Sequence, residues 1–343
     1  MAQHDYVVAN DSGAGVRADL NNALAAIATQ NSGASAAATT YAYQPWADTT
    51  NGVMKRRNAA NSGWLVEGTL DETFVLSRAS NTMLDVSDIG KVIIATGTFT
   101  QTFDAAATLG DGWWINYRND GTGIITLDPN STEQIDGATT LKLYPGESCT
   151  IFCTGAVFKT IGRSTGMVLI QQQTASSSAT VDFTVGIDSG FDEYVLEFDG
   201  VVPATNVVSL QLQVTQDAGS NWKSGAGNYQ WVRNGVYSGS ASVTLQNSAA
   251  DTSISVVDGV LDNTSTRPAS GEIRFYAPSA GRITNFEARS TFYSSNLGGT
   301  YLGQFNNSGA YVADTTAING VRLKMSSGNI STGNFRLYGV RKA

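Results

Sequence analysis

The sequence predicts a mainly β protein of several domains, with a single short helix near its N-terminus. Three observations lead to this fold class. Short apolar runs that alternate with polar residues recur along most of the chain, and Gly, Pro and Asn separate them. Charged residues make up only 15% of the 343 residues, against roughly 25% in an average soluble protein, and small polar residues take their place. A helical apolar period is convincing only over residues 16–27.

The predicted helix carries an apolar stripe with spacings of four, four and three residues. The stripe consists of Val16, Leu20, Leu24 and Ile27. Alanines between these positions raise helix propensity, and Asn31-Ser32-Gly33 is a stop signal. A helix of about twelve residues is marginal on its own. Its stripe therefore needs a cover, which is either the chain's own strands or the same helix in sister chains.

A hairpin follows the helix after a linker of small residues. Residues 41–48 and 53–58 read as two short strands around Asn51-Gly52, a strong hairpin signal. Pro45 lacks a backbone donor, which favours an edge position. A third strand is predicted over residues 64–66. This first segment, residues 1–70, has too little core for a comfortable monomeric domain.

The second segment, residues 71–165, is predicted to be a small β-sandwich or barrel. Its apolar runs recur every 8–14 residues or so, with Gly, Pro and Asn at the breaks. The predicted strands are 91–96, 98–103, 113–118, 124–127, 140–143, 149–153 and 157–161.

The third segment, residues 166–343, is predicted to be a jelly-roll-like antiparallel β-sandwich of about nine strands. Leu210, Leu212 and Val214 alternate with polar residues, as in a half-buried strand. The polar run 171–180 is predicted to be a linker or an exposed edge. Further strands are predicted at 194–199, 229–233, 242–245, 272–276, 283–288, 321–325 and 335–340.

The two cysteines, Cys149 and Cys153, are predicted to be small core residues. They share one face of a strand, with Cα atoms about 13 Å apart. That separation is far beyond disulfide reach, and two ligands without a neighbouring histidine do not make a zinc site. We expect no cofactor and no metal.

Charge and hydropathy exclude two classes of partner. The net charge is −8 and the longest basic run is residues 55–57, whereas nucleic-acid binding needs a basic stripe to neutralise phosphates. No run of about 18 apolar residues is present, so we expect no membrane insertion. The N-terminus lacks the basic and apolar regions of a secretory signal. We expect synthesis in a cytoplasm and delivery by another route, such as assembly into a particle.

Three groups of stretches resemble modules of tailed-bacteriophage virion proteins. Residues 17–27, 39–50 and 57–61 resemble the N-terminal unit of short-tailed phage fibres, with Pro45 departing from an expected aromatic. A β-module common in fibre and tail proteins is resembled by five stretches of this chain, which are 88–91, 95–100, 109–114, 118–121 and 145–148. The last strands of a distal β-sandwich in similar proteins resemble the stretches 326–330 and 335–341.

The resemblance implies a virion structural protein of the tail-fibre type that is synthesised in the host cytoplasm and works as a homotrimer. Residues 1–70 would anchor it to another virion protein, such as a tail adaptor, a nozzle or the capsid, through the helical stripe. Residues 71–165 would be a spacer and trimerisation domain. Residues 166–343 would be the distal domain for host attachment. A head fibre or capsid decoration protein shares every one of these features and stays an alternative.

Enzymatic activity is not expected. The only histidine is His4, near a terminus expected to be flexible, and no nucleophile-elbow, zinc-protease or P-loop pattern is present. The remaining enzymatic alternative is a small glycan depolymerase with paired carboxylates. Its candidates are Asp188, Asp192, Glu193, Glu197 and Asp199. Glu197 and Asp199 share a strand face that we expect to be solvated.

Aromatic residues of the third segment are candidates for contact with a host surface glycan, because an exposed ring stacks on a sugar face. The candidates are Trp222, Tyr229, Trp231 and Tyr237. The alternative for each ring is a place in the sandwich core or at the seam of the trimer. Trp222 lies between Gly219-Ser220-Asn221 and Lys223-Ser224-Gly225 and is therefore expected in a loop.

Overall fold

The computed structural model describes residues 3–71, 73–163, 166–276, 278 and 281–341. The chain is mainly β and divides into two compact units, Met1–Ser164 and Thr165–Ala343. We call them the N-terminal and C-terminal units. The predicted division at residue 70 falls inside the N-terminal unit and stays a prediction.

The described residues of the N-terminal unit form one long helix, two short helical turns and eleven strands. The helices are α1 Gly13–Ala28, a short 3₁₀ turn Val86–Asp88 and α2 Ala106–Leu109. The strands are β1 Pro45–Asp48, β2 Val53–Arg57, β3 Trp64–Thr69, β4 Val75–Arg78, β5 Val92–Ala95, β6 Thr100–Thr102, β7 Asp111–Asn119, β8 Ile125–Asp128, β9 Leu141–Leu143, β10 Ser148–Thr154 and β11 Phe158–Ile161.

Helix α1 confirms the predicted helix and begins three residues before its apolar period. Ser12 caps it, because its hydroxyl accepts a hydrogen bond from the backbone N–H of Gly15 at 3.2 Å. Gln30 and Asn31 take positive φ angles of 53° and 55°, which ends the helical path. The N–H of Asn31 then bonds the carbonyl of Ala26 at 2.7 Å.

The predicted hairpin and third strand form the antiparallel sheet β1-β2-β3. Pro45 is the first residue of the edge strand β1, as its missing donor requires. Asp48 organises the turn from a fully buried position. Its carboxylate accepts hydrogen bonds from the backbone N–H groups of Thr50 and Asn51 and pairs with the Lys55 ammonium at 2.7 Å.

The remaining strands of the N-terminal unit form two sheets that share one core. The five-stranded sheet has the order β11-β10-β7-β5-β4, and the three-stranded sheet has the order β6-β8-β9. β4, β5 and β7 run parallel to one another, and β6 runs parallel to β8. Core residues include Ile93, Trp113 and Phe158, together with Val53 of the hairpin. All seven strands predicted for this segment are present, and β4 was missed.

The C-terminal unit contains twelve strands in its described residues, against about nine expected for a sandwich of this size. They are β12 Met167–Ser178, β13 Thr180–Phe183, β14 Phe191–Pro203, β15 Val208–Thr215, β16 Tyr229–Tyr237, β17 Ser240–Asp251, β18 Ile254–Leu261, β19 Ala269–Tyr276, β20 Thr284–Ser294, β21 Tyr301–Tyr311, β22 Gly320–Met325 and β23 Ile330–Arg341.

These strands form a large and a small antiparallel sheet that pack face to face. The eight-stranded sheet has the order β12-β23-β14-β19-β20-β21-β16-β17, and the four-stranded sheet has the order β13-β22-β15-β18. Phe198, Phe275 and Phe286 of the large sheet and Leu212 and Leu323 of the small sheet are buried. The polar run 171–180 lies mostly in the edge strand β12, so the edge alternative is the correct one. The jelly-roll connectivity and the trimer stay predictions.

Candidate functional site

The apolar stripe of α1 is exposed. Leu20, Leu24 and Ile27 expose 47%, 61% and 60% of their surface, and Val16 is half-buried. The helix turns its alanine face inward instead, and Ala26 is its one buried residue. Of the two covers considered from the sequence, the described strands of this chain do not supply one. The stripe is therefore available to another molecule.

His4, in the terminal segment that the sequence predicted to be flexible, is hydrogen-bonded through both of its ring nitrogens. The Nδ1 atom of His4 accepts a hydrogen bond from the backbone N–H of Tyr6 at 2.8 Å, so the neutral ring carries its proton on Nε2. Nε2 lies 2.7 Å from Asp19 Oδ1 on α1. The pKa of Asp19 is lowered by hydrogen bonds from His4 and from the backbone N–H of Ala9. Both ring nitrogens are occupied, and His4 holds the terminal segment to the helix.

Tyr229 is a core residue. Its ring is fully buried, and its hydroxyl accepts from the Val214 N–H at 2.9 Å and donates to the Lys223 carbonyl at 2.8 Å. Burial raises the pKa of the Tyr229 phenol. The core alternative therefore holds for this ring, which presents no face to a glycan.

The other three predicted aromatic residues are half-buried and engaged by their neighbours. The Arg322 guanidinium lies 4.1 Å from the Trp222 ring centroid. The indole N–H of Trp231 donates to Asp251 at 2.9 Å. Tyr237 packs edge-on against two phenylalanine rings of the same sheet. The structure does not bring these rings together into one aromatic platform.

Open grooves lie instead on the outer face of the eight-stranded sheet, the face turned away from the small sheet. One groove has a volume of about 580 Å³ and its lining includes Asn234, Glu287 and Asn306. A second, of about 370 Å³, is lined by residues that include Glu197 and Glu272. Arg289 of β20 lines both, is exposed, and has no ion-pair partner among the described residues. These grooves were missed because β21, which supplies one wall, was not recognised.

Outer-face carboxylates of β14 and β19 are paired with arginines across the sheet. Arg274 contacts Glu193 at 2.7 Å and Glu272 at 3.2 Å, and Arg336 contacts Glu197 at 3.9 Å. The solvated face predicted for Glu197 and Asp199 is confirmed in part: Asp199 is exposed and Glu197 half-buried, but Val195 on the same face is buried. A glycosidase acid needs an apolar surrounding that favours its neutral form. Guanidinium groups surround these carboxylates instead.

Neither a metal centre nor a reactive thiol emerges from the described residues. Cys149 and Cys153 are buried, as predicted, and burial raises the pKa of Cys153. Within the described ranges, no group of three His, Cys, Asp or Glu side chains could hold a metal ion. No helix there is long and apolar enough to cross a bilayer.

Comparison with known proteins gives no match: no family model, no curated protein and no solved structure resembles this chain significantly.

Proposed function

We propose that this chain is a non-enzymatic structural protein of a bacteriophage particle, a homotrimeric fibre of the tail. The observation that carries the proposal is the exposed stripe of α1. Leu24 and Ile27 each expose about three fifths of their surface on a helix that is otherwise held to its unit. Apolar patches of this kind on otherwise polar surfaces typically mark a protein interface. The sequence resemblance of residues 17–27, 39–50 and 57–61 to fibre N-terminal units suggests the identity of that interface.

The N-terminal segment docks on a virion protein, a tail adaptor, nozzle or capsid component. The strands of residues 71–165 act as a spacer and trimerisation region. The C-terminal unit is the distal part. Its low charge and its ion-paired outer face suit a domain that is exposed to solvent and contacts a host surface. They do not favour binding to nucleic acid.

Host contact is assigned to the outer-face grooves. Asn234 and Asn306 offer amide donors and acceptors. Arg289 and Glu287, two residues apart on β20, offer a donor group and an acceptor group that have no ion-pair partner among the described residues. Sugar hydroxyls both donate and accept, so this mixture of planar polar groups suits a glycan. The predicted rings Trp222, Trp231 and Tyr237 are already occupied by neighbours and do not line these grooves.

Cryo-electron microscopy of the intact particle tests the proposal. Three copies of this chain attached by residues 1–70 to the tail are the expected result. Copies on the capsid shell would make the chain a head fibre or decoration protein. Absence of the chain from the particle would refute the structural role altogether.

Binding of fluorescently labelled protein to host cells tests the contact surface. Arg289→Ala and Asn306→Ala should each reduce the number of bound molecules several-fold. Arg282→Ala removes an exposed arginine of the same unit that lines neither groove, and should bind as the unchanged protein does. Equal binding by all three variants would move host contact away from the outer face.

A further inference from the structure

Two free edges bound the eight-stranded sheet of the C-terminal unit. β12 pairs only with β23, and β17 pairs only with β16, within the described residues. Both strands are twelve residues long. Neither contains Lys, Arg, Glu or Pro, and Asp251 at the end of β17 is the only charged residue in either strand.

Such edges are unusual in a protein that stays monomeric. A free edge presents unpaired backbone N–H and C=O groups, and natural proteins protect it with lysine, proline, inward charges or short strands. β12 and β17 are long, and Asp251 is the single charged residue between them. The pairing with the inner neighbour shifts register once along β12, after Leu169, and twice along β17, and a regular stretch remains in each strand.

β17 also projects beyond the sandwich. None of its described side chains is buried, so neither of its faces is covered. Val243 exposes 56% and Leu245 exposes 77% of its surface, the latter the highest value among the large apolar residues. Val232, beside them on β16, exposes 59%. This strand therefore has both an unpaired backbone edge and an uncovered apolar surface.

The directions of the two edges fit one another. All seven pairings within this sheet are antiparallel. With eight strands in alternating directions, β12 and β17 run in opposite directions. Rotating a copy about an axis parallel to the strands preserves strand direction. β17 of one copy then lies antiparallel to β12 of the next, and the alternation continues from copy to copy.

We propose that β17 of one copy pairs with β12 of the next copy, so that three eight-stranded sheets join into a closed ring. The partner is thus a second copy of this chain, whose own free edge matches in length, direction and lack of charge. Full pairing would add about 12 backbone hydrogen bonds, comparable with the roughly 10 of a typical protein interface. Head-to-tail contacts of this kind close into rings when the rotation allows. The closure at three copies rests on the proposed homotrimer.

The proposed pairing fixes which side chains share a face. Val243 and Leu245 lie on the outer face, because Leu245 is opposite Asn234 of β16. In β12 the register with β23 assigns alternate residues to the outer face, with a shift after Leu169. The outer-face residues of β12 are Met167, Leu169, Gln172, Thr174 and Ser176. Leu245 must therefore oppose or adjoin one of these in the next copy.

Cysteine cross-linking of the full-length protein tests the pairing. Leu245→Cys is combined in turn with cysteine at each outer-face position of β12, and the native cysteines do not interfere because both are buried. At least one combination should give a covalent trimer on a denaturing gel after mild oxidation. Leu245→Cys with Gln173→Cys is the matched control, since Gln173 lies on the opposite face, opposite the buried Phe335.

Two cross-linking results would overturn the proposal. One is the absence of covalent trimers from every outer-face combination. The other is a covalent dimer formed by Leu245→Cys alone in the same yield as the products of the double-cysteine combinations. That result would mean that β17 pairs with β17 of another copy.

Analytical ultracentrifugation of charge variants gives a second measurement. Val243→Asp with Leu245→Asp should raise the dissociation constant of the trimer by at least ten-fold. Val185→Asp places the same charge at a comparably exposed valine, 54%, outside both edges and should leave the trimer unchanged. A trimer unaffected by the paired substitution would assign the assembly to other surfaces, such as α1, and overturn the edge pairing.

Failure of this inference is distinct from failure of the proposed function. A particle that carries three copies of the chain with unpaired β12 and β17 edges would refute only the ring. If the purified chain forms the ring in solution but the particle does not contain the chain, only the virion role would be refuted.

Discussion

Replacing Tyr229 by phenylalanine removes one oxygen atom from the core of the C-terminal unit and leaves the ring in place. That oxygen accepts from the Val214 N–H and donates to the Lys223 carbonyl. Each bond contributes a net amount of about 1 kcal/mol, and an unsatisfied buried N–H costs about 1–3 kcal/mol. Val214 is fully buried, whereas Lys223 is half-buried and its carbonyl can find water. We expect the free energy of unfolding to fall by about 1.5–3 kcal/mol.

The change in unfolding free energy is measured by denaturant unfolding, monitored through hydrogen exchange in peptides from β15 and β16. The midpoint should fall while the slope with denaturant stays constant, at equal protein concentration. Tyr293→Phe is the control, because Tyr293 is 43% exposed on the outer face and forms no hydrogen bond with a described residue. A loss for Tyr229→Phe no larger than that control would refute the assignment of the Tyr229 hydroxyl as a structural bridge.

Three further outcomes follow from the N-terminal unit. Burial raises the pKa of Asp48, but hydrogen bonds from Lys55 and Asn51 outweigh burial and leave the pKa below its usual 3.8. The stabilisation by the Asp48 carboxylate is therefore present above pH 3.8 and is lost as the pH falls through the lowered pKa. Hydrogen-exchange protection of β1 and β2 should fall with acidification, and Asp48→Asn should abolish that dependence. Phe158→Ala should cost about 3–5 kcal/mol of unfolding free energy by differential scanning calorimetry, because Phe158 is fully buried; a loss under 1 kcal/mol would contradict the core assignment. Leu24→Glu should change unfolding free energy by less than about 0.5 kcal/mol but abolish incorporation into particles measured by mass spectrometry, and normal incorporation would remove the stripe from the anchoring surface.

Local sequence signals predicted most elements of this fold, and the misses have physical causes. β21 contains Gly303, Gly309 and two asparagines, residues that are depleted in strands. It is nevertheless a strand because β16 and β20 pair with it on both sides. The close fit explains the glycines: a Cβ at Gly303 would lie 2.4 Å from the Phe292 ring. Tertiary packing, rather than propensity, determined this element.

β4 and β18 were missed for a different reason. β4 is four residues long and pairs only in parallel with β5, a contact that no turn signal announces. The first four residues of β18 are all buried and the next three are half-buried, so the strand lacks the alternation that marks a half-exposed strand. Parallel pairing and the burial of consecutive residues both depend on distant parts of the chain.

The sequence identified the apolar stripe of α1 but not its exposure, and it left the distal aromatic residues open between core and ligand. An amphipathic period identifies a stripe whether its cover is internal or external, so only the structure could show that Leu20 and Leu24 are exposed. For aromatic residues the ambiguity is greater, because the same ring serves a core or a ligand. Tyr229 is in the core, and Arg322 covers Trp222. The grooves around Arg289 depend on cross-strand neighbours that a single strand pattern cannot reveal.

The position of β23 has a consequence for the timing of synthesis. β23, the last strand in sequence order, lies between β12 and β14, the first and third strands of the C-terminal unit, and its residues pair with positions about 160 residues earlier. Until the ribosome has made residues 330–341, β12 has no neighbour in the sheet and cannot be held at its edge. A nascent chain therefore lacks one of the two edges that the proposed ring would need, even beside other chains under translation. In such a ring, the order of the strands would delay joining between copies until each copy has folded its own sheet.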